Sequence, residues 1–240
     1  RRRPGALPSQ EVSPLIAMKR SILDSILVNR AIIDGATFSD ETVLESINRE
    51  RGNGGEWNAR FRINERGDFI NVKCGILVGA DGRNSRVANL LSKDNRDSSK
   101  DALSDRIGVQ FIVERPINLE SNILMFFFEG GYGGIVCVSA KEANVAMVVT
   151  QELARLATTD FARFILNSIH SNKHARTMIP HLELVGEIST AFPITPRANQ
   201  IHSSNAYLIG DARHTTEPFT GEGVFFAMQD GLRAARAISK

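Results

Sequence analysis

Tyr207-Leu208-Ile209-Gly210-Asp211-Ala212-Arg213-His214-Thr215-Thr216-Glu217-Pro218-Phe219-Thr220-Gly221-Glu222-Gly223-Val224-Phe225-Phe226-Ala227-Met228-Gln229-Asp230-Gly231 carries the most information in this 240-residue chain. It reads as a buried strand, a Gly-Asp at its end, a proline-bearing loop and a helix opening at Gly221-Glu222-Gly223. One carboxylate and one helix N-terminus therefore lie a short loop apart. Asp211 can accept hydrogen bonds from hydroxyls. The helix start offers unpaired N–H groups and the positive end of a dipole, which suit an anion. A ligand joining a polyol chain to an electron-accepting ring would use both.

A second stretch has the same design. Ile76-Leu77-Val78 is apolar and ends at Gly79-Ala80-Asp81-Gly82-Arg83-Asn84-Ser85-Arg86-Val87, where a helix to Leu91 is expected. Gly79 and Gly82 allow a tight turn and a close backbone approach after the strand. On the residues alone, Asp81-Gly82 is also an ordinary strand-ending turn, and Asp211 an ordinary cap.

The remaining pattern places these stretches in one architecture. Ile22, Leu23, Ile26, Leu27 and Ala31 share a face of a helix over 18–34, with Gly35 beyond it. Strands are expected at 36–38, 42–48, 57–63, 69–73 and 74–78, with turns at Gly52–Gly55 and 64–68. The Pro-rich residues 4–14 read as irregular, and polar residues 92–105 as a surface loop. Further strands are expected at 107–113, 122–128, 134–139 and 144–149, with Gly130–Gly133 and Lys141-Glu142 in the turns. Helices follow over 159–168 and 173–178, a strand over 183–194, and a final helix from Gly223. The expected division is a nucleotide-type module over 1–103 and 196–240, with a mixed or antiparallel sheet module inserted at 104–195. The apolar strands 122–128 and 134–139 serve as core or as the lining of an apolar pocket.

Composition narrows the function classes. A chain 42% hydrophobic and 23% charged can build a core, and a net charge of +2 gives no electrostatic case for nucleic acid. Arg1–Arg3 is a local basic cluster on a solvated start. Cys74 and Cys137 lie far apart in apolar runs, as reduced, buried thiols would. The longest apolar runs fall far short of the roughly 20 residues that span a bilayer. A cytoplasmic location is expected, with peripheral membrane contact left open and no oligomeric state assigned. His170 and His174 share a helix face, but residues 171–173 are Ser-Asn-Lys and supply no further ligand, so no metal site is expected. His214 is read as packing in its loop or touching substrate. No Gly-x-Ser-x-Gly elbow is present.

The two glycine–aspartate stretches, in this order and with a sheet module between them, resemble the Asp-Gly and Gly-Asp motifs of flavoproteins of the para-hydroxybenzoate hydroxylase type. Glu217–Val224 followed by Ala227-Met228 and Gly231 is most similar to the geranylgeranyl-reductase-like branch, as are Gly130–Gly134 and Asn144-Val145. The resemblance covers residues 18–240. It implies an α/β fold of the FAD-binding para-hydroxybenzoate hydroxylase type, truncated and carrying the inserted sheet. It implies FAD as cofactor and NAD(P)H as a candidate electron donor. Asp211 and Gly210 would meet the ribityl hydroxyls. Pro218, Gly221, Glu222 and Gly223 would meet the pyrimidine edge of the ring. Gly79, Asp81 and Gly82 would organise the phosphate region, and Arg20, in the pattern Arg20-x-x-Leu23-Asp24, would reach the flavin or its phosphates. No general acid or base stands out.

One part of the family pattern has no match. The fold normally opens with strand, Gly-x-Gly-x-x-Gly, helix and a second strand. Gly52-Asn53-Gly54-Gly55 follows no suitable strand and has Trp57 in place of the third glycine. The expectation is that apolar sheet edge is left exposed and that this chain alone holds FAD weakly or not at all. Three functions stay open: hydride transfer from flavin to an apolar, unsaturated, isoprenoid-like substrate; flavin-dependent hydroxylation of an aromatic or polyketide substrate; and a non-catalytic remnant acting by interaction. A halogenase fits less well, because Trp57 is the single tryptophan.

Overall fold

A computed structural model describes residues 16–50, 55–63, 67–92, 106–119, 122–156, 161–192, 194, 196–201 and 203–239. Arg1–Arg3, the Pro-rich stretch 4–14, Gly52–Gly54, the turn at 64–66, residues 93–105 and Pro193 lie outside the described residues. In chain order the elements are α1 (Arg20–Ile33), β1 (Thr42–Arg49), β2 (Trp57–Ile63), β3 (Asp68–Cys74), β4 (Leu77–Gly79), α2 (Arg86–Leu91), β5 (Arg106–Glu114), β6 (Ile123–Phe128), β7 (Gly131–Cys137) and β8 (Glu142–Thr150). Then come α3 (Gln151–Leu156), α4 (Phe161–Ser171), α5 (Lys173–Met178), β9 (Ser189–Ala191), β10 (Arg197–Ala198), β11 (Ala206–Leu208), β12 (His214–Thr215) and α6 (Gly223–Ile238).

The chain forms two interleaved compact units. One takes in the described residues up to Ala36 together with 110–146 and 160–189; the other takes in 37–109, 147–159 and 190–240. The division falls within β5, β8 and β9.

In the first unit the β6–β7 hairpin shows how one sequence serves two faces. Leu124 pairs with Ile135 and Phe126 with Gly133, and Phe126 and Ile135 are fully buried. The alternate positions Ile123 and Phe127 are exposed, as strand periodicity requires. Gly131–Gly133, expected in the turn, lie inside β7 with Gly134, expected to begin the strand. At Gly134 a Cβ would stand 2.8 Å from Met125 Sδ on the paired strand. Ile165 and Ile169 of α4 and Ile179 complete the apolar interior of this unit. The alternation over 183–194 produces only a bridge at Leu184 and the short β9. Cys137 donates to the Leu119 carbonyl, and both cysteines are free thiols.

In the second unit β1, β2 and β3 form an antiparallel meander. The expected strand at 36–38 is absent; those residues connect α1 to β1. The apolar run 74–78 breaks at Gly75, so Cys74 ends β3 and a new strand starts at Leu77. That new strand matters most. β4 pairs with β11 in parallel, Leu77 opposite Ala206, Val78 opposite Tyr207 and Gly79 opposite Leu208. Val87, Ala88, Leu208 and Ala212 make the core beneath this pair, flanked by Leu44, Ile47, Leu77, Leu91 and Ile201. The edge is not fully covered: Ile76 and Val78 are each 39% exposed. α6 has no buried residue, and Phe225, Phe226, Met228 and Leu232 all face outward.

Candidate functional site

Parallel strands have their carboxyl ends at the same edge, and ligands in open α/β sheets bind there. The in-register pairing of Leu208 with Gly79 brings Asp81, two residues beyond one strand, and Asp211, three beyond the other, to a common end. Ile209 N–H donates to the Gly79 carbonyl at 3.0 Å and extends the pairing past the strands. At the opposite end the Asn205 carbonyl accepts from both the Leu77 amide, at 2.9 Å, and the Trp57 indole, at 3.1 Å.

The glycines at this edge do different jobs. Gly79 is needed for space, since a Cβ would lie 2.7 Å from Leu208 Cδ2 and 2.8 Å from Val87 Cγ1. Gly82 is needed for its backbone, at φ +77° with open space around it. Gly210 combines both demands: φ is +56°, and a Cβ would stand 3.0 Å from that of Ala227 on α6.

The two aspartates differ sharply. Asp81 is fully engaged. It accepts from Ser85 Oγ at 2.6 Å, from the Arg86 amide at 2.7 Å and from the Val87 amide at 3.1 Å. Ser85 in turn accepts from the Ala88 amide at 2.9 Å as the N-cap of α2. Together they satisfy the opening N–H groups of this helix, and Arg86 ties it to β1 through Glu45 at 3.0 Å. Asp211 is half-buried in the 3₁₀ turn Gly210–Ala212, and among the described residues its carboxylate makes no hydrogen bond or ion pair. Buried polar groups normally have partners, so a free carboxylate at a strand end is ready for donors from a ligand.

Pro218 opens a second 3₁₀ turn, Pro218–Thr220, which Gly221 closes at φ +71°. Glu217, just before it, pairs with Arg106 at 3.0 Å. α6 then starts at Gly223. Glu222 occupies the cap position but makes no side-chain cap bond, and no acidic residue lies in the first turn. The cap side chain thus leaves the opening N–H groups at the positive end of this 16-residue helix unbonded. Gly210, Asp211, Pro218, Gly221, Glu222 and Gly223 all belong to this one unit with Gly79, Asp81 and Gly82. Arg20 belongs to the other unit, where its guanidinium holds Asp24 at 3.2 Å one helical turn away.

His214 is exposed in β12, which pairs with β10. The His170 ring is hydrogen-bonded to the Ile179 carbonyl at 2.8 Å. Among the described residues no group of three or more His, Cys, Asp or Glu side chains could hold a metal ion. None of the helices described is long and apolar enough to cross a membrane. One residue of the site escaped the sequence reading. Asp230, two turns into α6, accepts from the Gly210 amide at 3.3 Å. Its signal was the pair Ala227 and Asp230, three apart and therefore on one helix face.

Comparison with known proteins accounts for this arrangement. Residues 7–240 match the family described as FAD binding domain. Digeranylgeranylglycerophospholipid reductase 3 of Methanosphaera stadtmanae is 24% identical over 229 residues, covering 94% of this chain and 54% of that protein. Digeranylgeranylglycerophospholipid reductase of Methanocaldococcus jannaschii is 25% identical over 236 residues, covering 97% and 57%. The chain therefore spans about half the length of the curated relatives it matches. Among solved structures, the flavin-dependent halogenase CmlS superposes with a TM-score of 0.76 at 19% identity, covering 92% of this chain and 40% of that one. Aklavinone-11 hydroxylase, solved with FAD and aklavinone, gives 0.69 at 18% identity, covering 92% and 41%. These likenesses establish the shared fold. An engaged glycine–aspartate turn, a free aspartate beside it and an uncapped helix after it, in a chain matched along nearly its whole length, lead to one assignment: the chain belongs to the FAD binding domain family.

Proposed function

We propose that the protein carrying this chain is an FAD-dependent oxidoreductase that saturates a carbon–carbon double bond in an apolar, isoprenoid-like substrate. The observation that carries this reading is the parallel β4–β11 pair, which sets the free carboxylate of Asp211 at the same edge as the Gly79–Gly82 turn. The names of the relatives supply the substrate class.

FAD, when bound and reduced by a donor such as NAD(P)H, would supply hydride chemistry, with the balancing proton coming from another source. The chain's own residues hold and tune. Asp211 accepts from ribityl hydroxyls, with Gly210 letting the chain pass close. Pro218 and Gly221 shape the loop so that the amides at Glu222 and Gly223 face the ring edge that becomes anionic on reduction. Asp81 keeps the start of α2 in place, so the Gly79–Gly82 turn stays open toward the phosphates. Proton delivery is assigned to no residue.

The test is anaerobic turnover of the whole protein with reduced flavin and a polyprenyl lipid, read by mass spectrometry. A product heavier by one H₂ is expected. Incorporation of an oxygen atom under air, with no saturation under anaerobic conditions, would transfer the protein to the hydroxylase reading. A protein that retains no flavin would remove both.

A further inference from the structure

We infer that Asp230 is a positioning residue: it clamps the Gly210–Arg213 turn to α6 and so aims the Asp211 carboxylate without touching it. The inference rests on the flavin reading of Asp211 and names a residue that reading does not use.

The geometry is local and redundant. Asp230 is largely buried, with its side chain 15% exposed. Its Oδ2 accepts from the Gly210 amide at 3.3 Å, and its Oδ1 lies 3.7 Å from Arg213 Nη1. One carboxylate therefore holds both ends of a turn that the Arg213 amide closes on the Gly210 carbonyl at 3.0 Å. Asp211 sits between the two held points. Arg233, one turn further along α6, approaches the same Oδ1 at 3.5 Å and offsets its charge. Ala227 lies on the same helix face, and its Cβ fixes how near Gly210 can come.

The conformational freedom of glycine explains why a clamp is useful. Gly210 takes φ +56° without strain but has no side chain to restrict its backbone, and the tie at its N–H supplies that restriction. A half-buried carboxylate without a partner has nothing of its own to fix its direction. Asp230 supplies that direction through the backbone. A charged acceptor also binds an N–H more strongly than a neutral one.

The experiment uses the whole protein with two variants, each alone and combined with Asp211→Ala. Asp230→Ala removes the acceptor and the charge; Asp230→Asn keeps an oxygen for the Gly210 amide but loses the ion pairs. Two flavins serve as probes: riboflavin, which carries the ribityl chain, and lumiflavin, which lacks it. Asp230→Ala is expected to weaken riboflavin binding about tenfold and lumiflavin binding less than about twofold, with Asp230→Asn in between. In the Asp211→Ala background the same change should cost riboflavin less than about twofold, because the group being aimed is gone. Equal losses for both flavins, or equal losses in both backgrounds, overturn the proposal. Hydrogen exchange of the segment 206–213 without ligand is the independent readout. It should quicken about tenfold in Asp230→Ala and stay near wild type in Asp230→Asn; unchanged exchange in Asp230→Ala overturns the clamp. If Asp211→Ala leaves riboflavin binding intact, the flavin role of Asp211 fails, and the exchange result still decides whether Asp230 holds the turn.

Discussion

Gly79→Ala probes the junction on which the site is built. The added Cβ would meet Leu208 Cδ2 at 2.7 Å, Val87 Cγ1 at 2.8 Å and Val87 Cβ at 2.9 Å, all well inside the 3.4 Å at which ordinary contact begins. Leu208 and Val87 are 7% and 6% exposed, so neither can swing into solvent. Overpacking of this kind costs about 1–3 kcal/mol. Alanine also restricts the unfolded chain, which returns about 0.4–1 kcal/mol. The net is a loss of about 1–2 kcal/mol, or roughly a tenfold shift in the unfolding equilibrium. Gly75→Ala is the internal control. It lies in the same segment with no atom within 4 Å of the new Cβ and no positive φ. It should be neutral or raise stability by a few tenths of a kcal/mol. Urea unfolding followed by Trp57 fluorescence suits both, because this single tryptophan is buried and bonded to the residue that precedes β11. Val87→Ala should couple to Gly79→Ala by at least about 0.5 kcal/mol, since it removes one of the three clashing atoms. If Gly79→Ala proves as harmless as Gly75→Ala, the close approach of β4, β11 and α2 is wrong, and the shared edge of the two motifs is wrong with it.

Three more predictions concern the elements around that junction. Ser85→Ala removes the cap of α2 and one of the donors to Asp81; a loss of about 0.5–2 kcal/mol is expected in the same unfolding assay. The Glu142 carboxyl is held below its usual range, first by the hydrogen bond from Lys19. A group whose pKa is depressed by folding adds stability above its unfolded value and loses it as pH falls through the folded one. Protection of residues 16–24 against hydrogen exchange, corrected for the intrinsic rate at each pH, should therefore fall as pH drops below the ordinary carboxyl value of 4.5, and Glu142→Gln should abolish that dependence. The 240-residue chain by itself should lose FAD on gel filtration, because Val78 and the outward residues Phe225, Phe226, Met228 and Leu232 of α6 lack a covering layer. A flavin absorbance band that stays with the protein through the column would contradict this.

Elements whose pattern and flanks agree could be read from the residues alone: Trp57–Ile63 and Lys173–Met178 form with the expected limits. The misreadings share a cause, which is that a neighbour distant in sequence decides. Gly131–Gly133 look like turn residues, yet they continue the ladder opposite Phe126–Phe128. Residues 183–194 alternate like a strand, but most find no ladder partner. At the site, the needs of Gly79 and Gly82 were legible as a close approach and a tight turn: Gly79 has no room for a Cβ, and Gly82 takes φ +77°. That Asp81 is engaged and Asp211 free was not legible. Both follow a strand in nearly identical words, and only the short loop to α2 gives Asp81 its three donors. Asp230 was overlooked because a carboxylate on a helix face usually meets water, and here a turn from the previous loop covers it.

The pairing of Leu77 with Ala206 also has a consequence for biosynthesis. These strands are separated by most of the chain, so closing that loop costs entropy before any contact compensates it. A ribosome would release β4 long before β11 emerges. Through that interval Ile76 and Val78 stay unshielded, and the cradle for the cofactor cannot exist until β11 and α6 have been made. Chaperone dependence and flavin supply during synthesis are therefore coupled: the ligand can rescue only chains that have already completed this late closure.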